Sequence, residues 1–269
     1  MKLTPEKERE YRENYANNFP KYGASIMGMG TDLVGDPYPD PIQINDVLFN
    51  ILKTGETFEH RSYRDVIFQT SKGNMLLVLG ADRVGTGHGH LIESRFIHSP
   101  AKIGIGVGYC GTPDPDIKIG DYLVVEQSDV RSNLDDELDG KFTNLVGGTS
   151  TPKVVDALYK EAENTGMPVH RGKTISVQDF DSSNNLEIIR KMRNLGYAGI
   201  DMESAFNLQI TNWHQRHGYE KDYAMIMLVS DNQAEKCDTT SVGPSIRELG
   251  KEKIGNITRI AIDAALSLM

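Results

Sequence analysis

The sequence predicts a single α/β domain built on a central mixed β-sheet flanked by helices. Two observations carry that expectation. Short apolar runs bounded by glycine, proline and acidic turns alternate with longer stretches whose apolar residues recur at helical spacing. No linker-like stretch, repeat or low-complexity segment interrupts the chain, so residues 1–269 are expected to form one domain, with 1–20 a helical N-terminal extension.

The elements follow in order. Thr4-Pro5-Glu6 starts a charged helix to about Asn17, with Thr4 as N-cap and Pro5 in the first turn. Ala24 to Met29 is a buried strand, residues 30–42 are a Gly/Asp/Pro loop, and Asn45 to Leu52 is a short helix. Tyr63 to Thr70 and Asn74 to Leu79 form a hairpin through Ser71-Lys72-Gly73. Glycine-rich residues 80–89 lead into a helix ending near His98. Lys102 to Val107 is a strand ending in a Gly108-Tyr109-Cys110-Gly111 turn, and Ile119 to Gln127 is the next strand. Thr151-Pro152 caps a helix to Asn164. Val169 to Val177 is a strand, Asn184 to Arg193 a helix, and Gly199 to Met202 a short strand running into a helix through Trp213. Tyr223 to Val229 is an apolar strand, and an amphipathic helix closes the chain from about Ser245.

Composition narrows the function. The 29 basic and 38 acidic side chains give a net charge of −9, unsuited to non-specific binding of nucleic acid or an anionic membrane. Two cysteines, Cys110 and Cys237, make no disulfide scaffold and suit a reducing, cytoplasmic setting. No run reaches the length of a membrane span. His88, His90 and His98 lack zinc-site spacing, so no metal and no cofactor are expected.

Ligands of an open α/β sheet bind at the carboxyl ends of strands, and four such ends carry chemistry. The loop with Arg83, Gly85 and Thr86 could cradle an anion at a helix N-terminus, or be only a tight turn. Gly108-Tyr109-Cys110-Gly111 is the second. Asp201-Met202-Glu203 sets two carboxylates around a methionine. A carboxylate can accept from both hydroxyls of a ribose, and methionine offers an apolar face to the sugar. Acidic residues favoured by a helix dipole explain the same pattern, and spacing does not choose between the two. Asp231, past an apolar strand, could act as a general acid or cap a turn.

Together these pieces resemble the nucleoside phosphorylase and nucleosidase superfamily, in order over residues 56–232. The resemblance lies in Gly199-Ile200-Asp201-Met202-Glu203-Ser204-Ala205, Val229-Ser230-Asp231, the glycine turn at 108–111 and Ile119-Gly120-Asp121-Tyr122. The wording is most similar to the catalytic domain of AMP nucleosidases. It implies a nucleoside phosphorylase-like fold and cleavage of a purine N-glycosidic bond. It implies that Asp231 protonates or hydrogen-bonds purine N7 and that Asp201, Met202 and Glu203 hold the ribose. Phe180, Cys110 and Gly111 would then lie at the base, and Arg61, Arg83, Gly85, Thr86 and Tyr109 would hold phosphate. Arg61 matches an arginine lent across a subunit interface, which implies a homo-oligomer.

The departures concern phosphate. Gly35-Asp36-Pro37-Tyr38 is followed by Pro39 where phosphorylases have arginine, Gly106 replaces a second arginine, and Tyr109 replaces a hydroxyl residue. Charge-assisted hydrogen bonds dominate such sites, so their loss favours water as nucleophile. The expected activity is hydrolysis of a purine nucleoside or nucleotide. The alternatives are a phosphate-dependent purine nucleoside or uridine phosphorylase, and a nucleotide-binding protein without turnover. Asp231 argues against uridine, because pyrimidines lack N7.

Overall fold

The computed structural model describes residues 23–28, 53–60, 65–78, 92–131, 145–178, 186–234 and 242–269. The expected helices at 4–17 and 45–52 and the loop at 30–42 lie outside these residues. Among the described residues ten strands form one mixed sheet: β1 (Ala24–Gly28), β2 (Thr57–His60), β3 (Asp65–Thr70), β4 (Gly73–Val78), β5 (Ile103–Thr112), β6 (Tyr122–Val130), β7 (Leu145–Thr149), β8 (Val169–Ser176), β9 (Tyr197–Asp201) and β10 (Asp222–Asn232). Among the described residues four α-helices accompany them: α1 (Pro152–Glu163), α2 (Leu186–Asn194), α3 (Ser204–Arg216) and α4 (Val242–Leu268). One π-helical turn, Glu93–Ile97, precedes β5.

β5 organises the sheet. Its first half pairs parallel with β1, its whole length pairs parallel with β10, and Gly111 near its end pairs with Ile200 of β9. β10 continues to β6, β6 to β8, and β8 to β9, so the sheet curls back on itself at β5. One face of the sheet carries Ile26, Ile105, Val124, Ile226 and Leu228 and is covered by α1 and α4. The other carries Met27, Leu123, Met225 and Met227 and packs against Leu208 of α3 and Phe96 of the π-turn. Side chains of successive strand residues point to opposite faces, so strands buried on both read as unbroken apolar runs.

Several expectations change. The segment at 108–111 is not a turn: it stays extended and completes β5. Gly111, read as a turn former, serves instead for close approach, as Gly104 and Gly106 do earlier in β5. A Cβ on Gly106 would lie 2.6 Å from Tyr223 Oη and 2.9 Å from Met225 Cγ, so a side chain there, an arginine included, would have to displace both. Likewise Ser230-Asp231-Asn232 continues β10 with a register shift between Val229 and Asp231. Ile119 and Gly120 precede β6, with Gly120 at φ +92°, a conformation that favours glycine. β2 and β7, with its two glycines, had no apolar pattern to mark them. Thr151 does not cap α1 with its hydroxyl, which accepts instead from Tyr223 N at 3.0 Å.

Candidate active site

Three strand ends converge at Gly111. It pairs with Ile200 on one side and Asp231 on the other. Two strand spacings, about 10 Å, therefore separate the end of β9 from the end of β10. Asp201-Met202-Glu203 leaves the first of these ends and Ser230-Asp231-Asn232 forms the second.

Asp231 is 3% exposed. Ser230 Oγ donates to its Oδ1 at 2.8 Å, and Gln233 Nε2 donates to its Oδ2 at 2.9 Å. Ser230 Oγ also lies 3.2 Å from the Cys110 carbonyl, and Gln233 N donates to Thr112 O at 2.9 Å. A Cβ on Gly111 would stand 2.7 Å from Asp231 Oδ2, so only glycine leaves the carboxyl where it is. The Gly120-Asp121 turn pins the strand just before the acid: Gly120 N donates to Val229 O at 2.8 Å and Val229 N donates to Asp121 O at 3.0 Å. The Asp121 carboxylate in turn accepts from Lys118 N at 2.9 Å and lies 2.8 Å from His170 Nε2. Asn232 fixes the other side through Nδ2 bonds to the Asp114 and Ile117 carbonyls.

At the end of β9, the Asp201 carboxylate turns inward. It accepts from Ser176 Oγ at 2.6 Å, Ser204 N at 2.8 Å and Ser204 Oγ at 2.8 Å. Because a carboxylate only accepts, both serines must donate to it. Ser204 Oγ is then left to accept from Ser128 Oγ at 2.7 Å and Thr174 Oγ1 at 3.0 Å, and Ser176 Oγ accepts from Ala205 N at 2.9 Å. This buried cluster ties the first turn of α3 to β6, β8 and β9. Burial holds the Asp201 carboxyl above the usual carboxylate range, and the serine bonds offset part of that shift. Asp201 thus does for α3 what an N-cap does, from three residues before Ser204. Glu203, the residue at the helix N-cap position, is 8% exposed, and Met202 is half-buried against the cluster under α2.

Cys110 and Tyr109 flank the centre on opposite faces of β5. Cys110 is buried with its Sγ 3.4 Å from where a Gly199 Cβ would be. Burial pushes its thiol well up, and the charges of Asp201 and Asp231 push it further, so it is an unreactive thiol. Tyr109 packs partly buried against the core under α1 and α4. Phe180, Arg61, Arg83, Gly85 and Thr86 lie outside the described residues. Among the described residues no group of three or more His, Cys, Asp or Glu could hold a metal ion, and no helix is long and apolar enough to cross a membrane.

The sequence reading missed Ser128, Thr174, Ser176 and Gln233. Only the alternation of hydroxyls at Thr174 and Ser176 on β8 hinted at a polar face. Gln233 had no signal beyond standing two residues after Asp231.

The profile of the phosphorylase superfamily matches residues 35–267. No curated protein matches the chain. Among solved structures, the chain resembles the Campylobacter jejuni 5′-methylthioadenosine/S-adenosylhomocysteine nucleosidase, with a TM-score of 0.64 at 14% identity over 93% of this chain and 100% of that one. It resembles the Helicobacter pylori futalosine hydrolase equally, with a TM-score of 0.64 at 14% identity over 90% and 97% of the two chains. A Neisseria meningitidis 5′-methylthioadenosine/S-adenosylhomocysteine nucleosidase in complex with methylthio-immucillin-A gives 0.61 at 17% identity over 91% and 99%.

Proposed function

From the premise that this chain belongs to the phosphorylase superfamily, and is an enzyme of the nucleosidase or nucleoside phosphorylase type, we propose that it hydrolyses the N-glycosidic bond of a purine nucleoside or nucleotide. The observation that carries this reading is the convergence at Gly111 of a buried, doubly hydrogen-bonded Asp231 with the Met202-Glu203 helix start.

In this reading the purine lies beside Asp231 with N7 toward its carboxyl. As the bond from C1′ to N9 breaks, its electron pair moves into the base and Asp231 delivers a proton to N7. Glu203 accepts from the ribose hydroxyls, and its charge favours the oxocarbenium-like sugar. Water adds at C1′ and gives up a proton, so the products are free purine and ribose or ribose 5-phosphate. Asp201 contributes by positioning Glu203, since its own oxygens are engaged by Ser176 and Ser204. Water rather than phosphate is favoured because Gly106 supplies no guanidinium and a side chain there would have to displace Tyr223 and Met225. Composition supports a cytoplasmic enzyme, and the match at Arg61 supports a homo-oligomer.

The test is Asp231→Asn. Its kcat for release of free base should fall by about 10²- to 10⁴-fold, with substrate affinity kept near wild type. A variant that keeps its rate removes Asp231 from the chemistry.

A further inference from the structure

We infer that Gln233 selects the purine by its 6-substituent, favouring a 6-amino over a 6-oxo group; this rests on the N-ribosidase reading of the site. Gln233 is 5% exposed and stands just past β10, with its backbone N–H anchored on the Thr112 carbonyl at 2.9 Å. Its side-chain Nε2 donates to Asp231 Oδ2 at 2.9 Å.

That bond fixes the orientation of the amide. With the proton that Asp231 delivers carried on Oδ1, Oδ2 can only accept, so the NH₂ end must face it and Oε1 must face away. Oε1 meets no donor among the described residues and is open to an incoming hydrogen bond. Gly111 lies beneath both groups: a Cβ there would be 2.7 Å from Asp231 Oδ2 and 3.1 Å from Gln233 Nε2. The acid and the amide therefore form one edge above a glycine floor.

N7 and the 6-substituent of a purine also share one edge. With N7 at Asp231, the 6-substituent falls toward the neighbouring amide. A 6-amino group donates to Oε1, one half of the bidentate pairing by which glutamine recognises adenine. A 6-oxo group meets an oxygen instead. Turning the amide over to donate would set Oε1 against Asp231 Oδ2, acceptor against acceptor. The 6-oxopurine loses one hydrogen bond whichever way the amide lies. The expected discrimination is on the order of 10- to 100-fold in kcat/KM.

The experiment uses the full chain and matched pairs, AMP with IMP and adenosine with inosine, in wild type and Gln233→Met. Free adenine and hypoxanthine are also titrated by calorimetry. The wild type should prefer the 6-amino member of each pair, and Gln233→Met should bring the ratio to within about threefold, chiefly by loss on the 6-amino side. An equal or reversed wild-type preference overturns the inference, as does a ratio that survives the substitution. A fall in both members alike marks Gln233 as structural and also overturns it. If wild type releases no base from any of the four substrates, the N-ribosidase reading fails separately, and the titrations still decide: tighter adenine supports the inference, while equal, reversed or absent binding ends it. The wild-type titrations decide in the same way if Gln233→Met does not fold.

Discussion

Replacing Asp201 separates a residue that builds the site from one that touches substrate. In Asp201→Ala, Ser204 N–H loses its acceptor inside the protein. An unsatisfied buried donor costs about 1–3 kcal/mol. The hydroxyls fare better, because Ser204 Oγ keeps Ser128 and Thr174, and Ser176 Oγ keeps Ala205 N. Adding a small cavity and the loosened first turn of α3, the loss should be about 2–4 kcal/mol. Urea denaturation should show a lower midpoint at unchanged slope. Asp201→Asn should behave differently. Its Oδ1 can still accept from Ser204 N–H, its NH₂ can donate to the serine oxygens, and a neutral group suits a site that disfavours charge. That variant should lose about 1 kcal/mol or less and keep KM within about threefold. Two results would overturn the positioning role of Asp201. One is an Asp201→Ala variant within about 0.5 kcal/mol of wild type. The other is an Asp201→Asn variant of full stability whose KM rises as far as that of Glu203→Gln, which would make Asp201 a ligand of the ribose.

Gly111→Ala should displace the Asp231 carboxyl by forcing Oδ2 away from a new Cβ, and kcat should fall about 100-fold while the fold survives; steady-state kinetics beside a thermal melt checks both. Asp129 gives a pH prediction. Burial alone would raise its carboxyl, but hydrogen bonds from Tyr197 and Gln127 and the Lys173 ammonium outweigh it and hold the group below its usual range. A carboxyl depressed in the folded state stabilises above its unfolded pKa, and that stability is lost as pH falls through the folded one. Melting temperatures between pH 6 and pH 3 should therefore fall more steeply in wild type than in Asp129→Asn, and parallel curves would contradict the assignment.

Much of the sheet was legible because burial on both faces leaves a mark in the sequence. Tyr223 to Val229 is apolar throughout and forms the body of β10. The same logic failed where glycine carried the strand. Residues 108–111 look like a turn, yet the missing side chain of Gly111 admits Asp231 and Gln233 instead. β7 has Gly147 and Gly148 where Cβ atoms would strike β6 and α3, so packing removed the apolar signal that would have betrayed it. In the candidate site, Met202, Glu203 and Asp231 stood out through local motifs. The hydroxyl cluster did not, because Ser128 and Ser204 are 76 residues apart and meet only when β6 and α3 pack. Asp201 shows the limit of motif reading: its spacing suits a ribose, but its oxygens are committed to Ser176 and Ser204.

The most direct test of the central claim is a product assay on the pure protein. AMP, adenosine, inosine, guanosine and uridine are each incubated with and without inorganic phosphate, and the base and sugar products are resolved. The account predicts free purine with ribose or ribose 5-phosphate in the absence of phosphate, and no release from uridine. Release that requires phosphate and yields ribose 1-phosphate would contradict it.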